Sequence, residues 1–123
     1  MSRDPYLRLE DIIDACERMH SYLIGFDSVS FEHDLKTQDA VIRVFEIIGE
    51  AVKSLPEKWT DSEPEIPWRQ IAGFRDVLAH AYFAVNASVV WTAAIEKTPL
   101  LRHACLRLLL RPSTSGCQRT ATG

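Results

Sequence analysis

"DAVIRVFEIIGEAVKSL", residues 39–55, sets Val41, Val44, Phe45, Ile48, Val52 and Leu55 at steps of three and four, with Asp39, Arg43, Glu46 and Glu50 between them. That is the repeat of a helix burying a single stripe, and it predicts a long helix from about Asp34 or Thr37 to Leu55. Upstream, "RDPYLRLEDIIDACERMHSYLIGF" (3–26) repeats the pattern through Leu9, Ile12, Ile13, Cys16, Met19 and Leu23. Asp4 is placed to cap that helix, Pro5 to open it and Gly25 to end it. Downstream, "PEKWTDSEPEIPW" (56–68) holds three prolines and reads as a surface loop, with Pro67 opening a third helix. That helix carries Ile71, Phe74, Leu78 and Ala81 on its buried side and ends near Phe83 or Asn86. "NASVVWTAAIEK" (86–97) reads as another helix, and "TPLLRHACLRLLL" (98–110) starts afresh, with Thr98 as cap and Pro99 breaking or sharply kinking the chain.

No segment alternates with period two, so the chain is expected to be all-α, an antiparallel bundle of four to five helices. With 123 residues and 46% hydrophobic content it fits one domain, residues 1–111. The small polar segment 112–123 is expected to be a disordered tail.

Composition narrows the function. Cys16, Cys105 and Cys117 are odd in number and lack a Cys-x-x-Cys pair, so neither a disulfide framework nor a metal site is indicated, and a reducing cytoplasmic setting fits. No apolar run approaches the roughly 20 residues that span a bilayer, and the first residues lack the order of a signal peptide. Net charge is −3, which argues against binding nucleic acid by bulk attraction alone. The average hides a division: residues 1–66 hold 7 Lys+Arg against 15 Asp+Glu, or −8, and residues 67–123 hold 7 against 2, or +5. Such a chain either presents two differently charged surfaces, one attracting anions and the other repelling them, or lets two chains meet acidic face to basic face.

Within the third helix, "FRDVLAHAYF" (74–83) interrupts the apolar pattern with Arg75, His80 and Tyr82. At about 100° per residue, Arg75 and Tyr82 face one way, His80 lies about 140° round from Arg75, and Asp76 and His80 share a face. Arginine offers a permanent forked donor for phosphate, and histidine exchanges a proton near neutral pH. Together they suffice to cleave RNA without a metal, because the 2′-hydroxyl is a built-in nucleophile. One straight helix cannot aim both groups directly outward at one small target. They converge if the long arginine bends round, if the helix unwinds near its end, or if a second copy supplies the partner group, as two such helices facing each other in a symmetric dimer would. Spacing alone favours a structural role, with Arg75 paired to Asp76 or Glu50, His80 a satisfied half-buried residue and Tyr82 packed with its hydroxyl in water.

The order Arg-x4-His-x-Tyr resembles the signature of the HEPN superfamily and, with the tyrosine, of its HepT-like branch. "TQDAVIRVFEIIGEAVKSLPE" (37–57), "PEIPWRQIAGFRDVLAHAYFAVN" (64–86) and "VVWTAAIEKTPLL" (89–101) are similar to that family's segments in the same order, so the resemblance covers about residues 5–110. It implies a homodimer with the Arg and His in a cleft between protomers, and a ribonuclease toxin of a type VII toxin–antitoxin pair. It implies as partner an MntA-type nucleotidyltransferase that attaches AMP to the motif tyrosine. Arg75 then matches the phosphate-binding arginine, His80 the catalytic histidine and Tyr82 the modified residue. Asp76 occupies the polar position after the arginine, and Arg43 and Glu50 match polar positions of the preceding helix that either line or shape the cleft or form a purely structural ion pair. No metal and no cofactor is implied. Ala81 and Ala84 depart from a frequent acid and a frequent glycine of the pattern. His20, His33 and His103 match nothing in it and are expected on the surface. A different class stays open, a non-catalytic nucleotide- or substrate-binding partner of a nucleotidyltransferase, as does a helical scaffold.

Overall fold

The long helix read from residues 39–55 forms as Leu35–Lys53. The Asp34 carboxylate caps it by accepting from the Thr37 backbone N–H at 3.0 Å. A computed structural model describes residues 4–80 and 87–111, the side chains of Arg75, Ala79 and His80 excepted. Among the described residues every element is helical: α1 (Pro5–Leu23), α2 (Ser28–Glu32), α3 (Leu35–Lys53), α4 (Glu57–Asp61), α5 (Trp68–His80), α6 (Ala87–Thr92) and α7 (Thr98–Leu110), with a π-type turn, Ala93–Lys97, joining the last two.

The ends of α1 follow from local chemistry. Asp4 accepts from the Tyr6 N–H at 2.8 Å, Pro5 occupies the first turn, and Gly25 adopts φ +85 just past the end, a conformation that disfavours residues bearing a Cβ.

Three antiparallel pairings place the long helices in a row. Tyr6 at the start of α1 meets Trp59 just beyond the end of α3, with ring centroids 4.9 Å apart. Phe45 of α3 packs edge-on against Phe74 of α5 at 5.0 Å, and the end of α3 lies against the start of α5 around Lys53 and Trp68. Glu17, late in α1, holds Arg102, early in α7, at 2.8 Å. The sequence is therefore α5 on α3, α3 on α1 and α1 on α7. The core between them contains the predicted stripes, Leu9, Ile12, Met19, Val41, Val44, Ile48 and Leu78, joined by Leu101 and Cys105 of α7, all at most 2% exposed. Burying such side chains stabilises the fold by about 1.5–3 kcal/mol each.

Three expectations are corrected. The stretch 56–68 is not all loop, because Pro56, extended at ψ 139, launches the single-turn helix α4. α2 was not anticipated; its capping box, Asp27 with Ser30, pins a turn that buries Phe31 against Trp91 of α6 at 5.5 Å. Finally, Thr98 does not cap a new helix and Pro99 does not break the chain. Proline lacks an N–H and its ring crowds the carbonyl four residues back, and the widened turn 93–97 carries the helix past it, with the Thr98 hydroxyl donating to the Ala94 carbonyl. The expected tail, 112–123, and Ala81, Tyr82, Phe83, Ala84 and Asn86 lie outside the described residues.

The charge division resolves inside one molecule. Arg107 donates from Nε and Nη2 to both oxygens of Glu63 at 2.7–3.2 Å, and Arg111 adds a contact at 3.3 Å. Arg102 donates twice to Glu17. Much of the basic second half is thus held against carboxylates of the acidic first half.

Candidate functional site

α5 is fixed by its apolar side. Leu78 is 2% exposed, Ile71 and Phe74 are half-buried, and their packing on α3 sets the register of every other position. Arg75 and His80 are both on this helix, five residues and about 7.5 Å apart along the axis. Asp76 is exposed beside Arg75, and Val77 is 50% exposed. Position 75 shares a narrow strip of helix surface with positions 68, 72 and 79, seven, three and four residues away. Tyr82, the expected modification site, lies outside the described residues.

The two supporting positions on α3 do come together. Arg43 and Glu50, two turns apart, line one cleft of about 310 Å³ with Glu46, Ile47 and Arg8 of α1. Arg43 meets Glu46 at 3.4 Å, and with 71% of its side chain exposed this pair contributes little to stability. The Arg8 Nε is buried in the same region without a hydrogen-bond partner among the described residues. Asp76 is not among the residues lining that cleft.

A better enclosed cavity, about 380 Å³, lies on the opposite flank between α1 and the start of α7, lined by Cys16, Glu17, His20, Ile95, Arg102 and His103 among others. Its chemistry is muted. Burial pushes the Cys16 thiol up to about 12, so little thiolate exists near neutral pH, and Glu17 is engaged by Arg102. Cys105 is likewise free, buried and pushed up to about 12. His20, His33 and His103 are exposed, as expected. Among the described residues no trio of His, Cys, Asp and Glu is arranged to hold a metal, and no helix is long and apolar enough to cross a membrane.

The sequence reading missed an open groove of about 770 Å³ where the end of α3, α4 and the start of α5 meet. Lys53, Thr60, Trp68, Arg69, Gln70 and Ala72 line it, with Glu57 and Asp61 on the α4 side. The one available signal was the seven-residue interval from Trp68 to Arg75, which puts both on one strip of α5.

Against known proteins, residues 12–108 match a family model described as "Ribonuclease HepT-like". A Thermococcus cleftensis protein named "Probable ribonuclease HepT" is 46% identical over 94 residues, 76% of this chain and 86% of that protein. Two further relatives carry RNase designations. One, from Methanocaldococcus jannaschii, is 45% identical over 91 residues, 74% of this chain and 69% of its own length. The other, from Caldanaerobacter subterraneus subsp. tengcongensis, is 37% identical over 105 residues, 85% and 92%. No solved structure gives a significant match. With the match spanning most of the chain and including the whole Arg-x4-His-x-Tyr segment, the protein belongs to the HepT-like ribonuclease family of helical proteins.

Proposed function

We propose that this chain is a metal-independent endoribonuclease, the toxin of a type VII toxin–antitoxin pair, acting as a homodimer on RNA. The observation that carries the reading is that Arg75 and His80, in an order that resembles the family's motif, lie on one packed helix inside the matched residues. In the reaction, His80 takes the proton of the 2′-hydroxyl, the 2′-oxygen bonds to the adjacent phosphorus and the bond to the 5′-oxygen breaks. The products are a 2′,3′-cyclic phosphate and a 5′-hydroxyl, the latter receiving a proton. Arg75 stabilises the charge that builds on the phosphoryl oxygens. Because position 80 lies about 140° round the helix from position 75, a second protomer bringing its own α5 alongside completes the site. The marginal place of α5, with α3 as its main neighbour and Val77 half exposed, supports that arrangement. Asp76, Arg43 and Glu50 are assigned to the shape and charge of the cleft.

Regulation falls to Tyr82. Its phenol oxygen attacks the α-phosphorus of ATP on an MntA-type nucleotidyltransferase, releasing pyrophosphate and leaving AMP, whose negative charge and bulk exclude the RNA backbone. The competing reading, a non-catalytic nucleotide- or substrate-binding partner, drew on the net negative charge. The Glu17 and Glu63 ion pairs weaken that support, since they account for part of the acidic half internally.

The test is RNA degradation in EDTA. Wild type is expected to cut, with Arg75→Ala and His80→Ala inactive, and equal RNA survival in all three removes the nuclease reading. Mass spectrometry after incubation with the cognate nucleotidyltransferase and ATP should show AMP-sized additions that vanish in Tyr82→Phe.

A further inference from the structure

We infer that the groove at the start of α5 is a subsite for single-stranded RNA flanking the cut, with Lys53 and Arg69 holding its backbone and Trp68 stacking a base. The inference rests on the ribonuclease reading and adds to it where the strand runs and which residues hold it.

The first argument is available charge. Among the described arginines of the basic half, Arg102, Arg107 and Arg111 are each bound to a carboxylate of the same chain. Arg69 has no ion-pair partner among the described residues, and neither has Lys53. Both are exposed and both line this groove. They are cations of the kind that neutralise phosphates.

The second argument is a rigid aromatic face. Trp68 is half-buried at the mouth of α5, and its indole N–H donates to the Glu63 carbonyl at 3.0 Å. A half-buried ring held by a hydrogen bond and lining a groove offers a stacking platform for a base.

The third argument is position. Trp68 and Ala72 lie on the strip of α5 that also carries residue 75, and seven residues of helix span about 10.5 Å. At about 3.4 Å per nucleotide of a stacked strand, the groove lies roughly three nucleotides from the phosphate at position 75. The groove's cations come from α3 and α5 and its acids, Glu57 and Asp61, from α4. Phosphates are therefore drawn to the α3–α5 side, leaving the carboxylates to accept from exocyclic amino groups of bases.

The experiment is fluorescence anisotropy with a short fluorescein-labelled single-stranded RNA of mixed sequence, titrated with full-length His80→Ala protein so that the probe stays intact. The partner sample is the same protein with Lys53→Ala and Arg69→Ala added; both sites are exposed, so folding is preserved. Affinity should fall about tenfold, and the slope of log K against log salt, taken between about 50 and 200 mM, should flatten by about 1.4, the value for two lost contacts to a single strand. Trp68→Leu should weaken binding and Trp68→Phe should weaken it less. Unchanged affinity, or lower affinity with an unchanged salt slope, overturns the inference. A wild type that binds through the groove but cuts nothing removes the ribonuclease reading and leaves the groove. A wild type that cuts, with groove variants binding as tightly as their parent, removes the groove and leaves the reading.

Discussion

The α1–α7 flank and the α5 margin of this bundle treat their charges in opposite ways. On the first, Arg102 is tied to Glu17 beside the enclosed cavity, whose thiol is silenced by burial, and further along α7 Arg107 and Arg111 are tied to Glu63. On the second, Arg69 and Lys53 face an open groove, Val77 is exposed, and the motif helix rests chiefly on α3. The contrast separates two tasks: one flank holds the fold, and the other keeps its cations available for an outside anion. Loss of Arg75 or His80 should therefore affect catalysis with the fold intact, and loss of a core residue such as Ile48 should affect stability.

Substitutions can break that division, beginning with the largest effect. Arg75→Ala and His80→Ala should lower RNA cleavage about 10²–10⁴-fold while circular dichroism shows a folded, helical protein; an unfolded variant would erase the contrast. Ile48→Ala, at a position 1% exposed, should cost about 2–5 kcal/mol in urea unfolding with cleavage per folded molecule retained.

Glu63→Gln should cost about 1–2 kcal/mol at neutral pH, since its arginine partners are partly exposed and can return to water. The hydrogen bonds of Arg107, helped by the charges of Arg107 and Arg111, hold the Glu63 carboxyl below its ordinary value of 4.5 against the opposing effect of burial. A carboxyl depressed in the folded state stabilises above its unfolded value and loses that contribution as pH falls through the folded one. The gap between wild type and Glu63→Gln should therefore close in acid, and a gap that widens there would contradict the assignment.

Asp4→Ala and Asp34→Ala should each cost about 1 kcal/mol, read from thermal unfolding. At the smallest end, Cys16 and Cys105 should ignore a thiol reagent at pH 8 until denaturant is added.

The long helices were legible because their signals are local. Val41, Val44, Phe45, Ile48 and Val52 repeat often enough to show a period, and Asp4 and Asp34 cap within two or three residues of themselves. What escaped was either short or remote. α2 offers one buried apolar residue, Phe31, which cannot show a period. Glu63 sits in a proline-rich stretch that reads as solvent-facing, and its binding partner is 44 residues away. The turn at 93–97 depends on how a helix accommodates Pro99, which the sequence reads as a break or a sharp kink and the fold absorbs in a widened turn. At the candidate site, the order Arg75, His80 and Tyr82 was readable, and it lies within the residues that the family model matches. The groove was not, because Lys53 and Arg69 belong to different helices and only the antiparallel packing of α3 on α5 brings them together.

The central claim, that α5 carries a site which cuts RNA with the substrate's own 2′-hydroxyl, is tested most directly by one paired assay. A labelled RNA and the same RNA with a single 2′-deoxy substitution at the mapped cut are incubated in EDTA with wild-type and His80→Ala protein. The account predicts cleavage of the RNA by wild type alone and none at the substituted position. Cleavage at that position, or by His80→Ala at the wild-type rate, would contradict it.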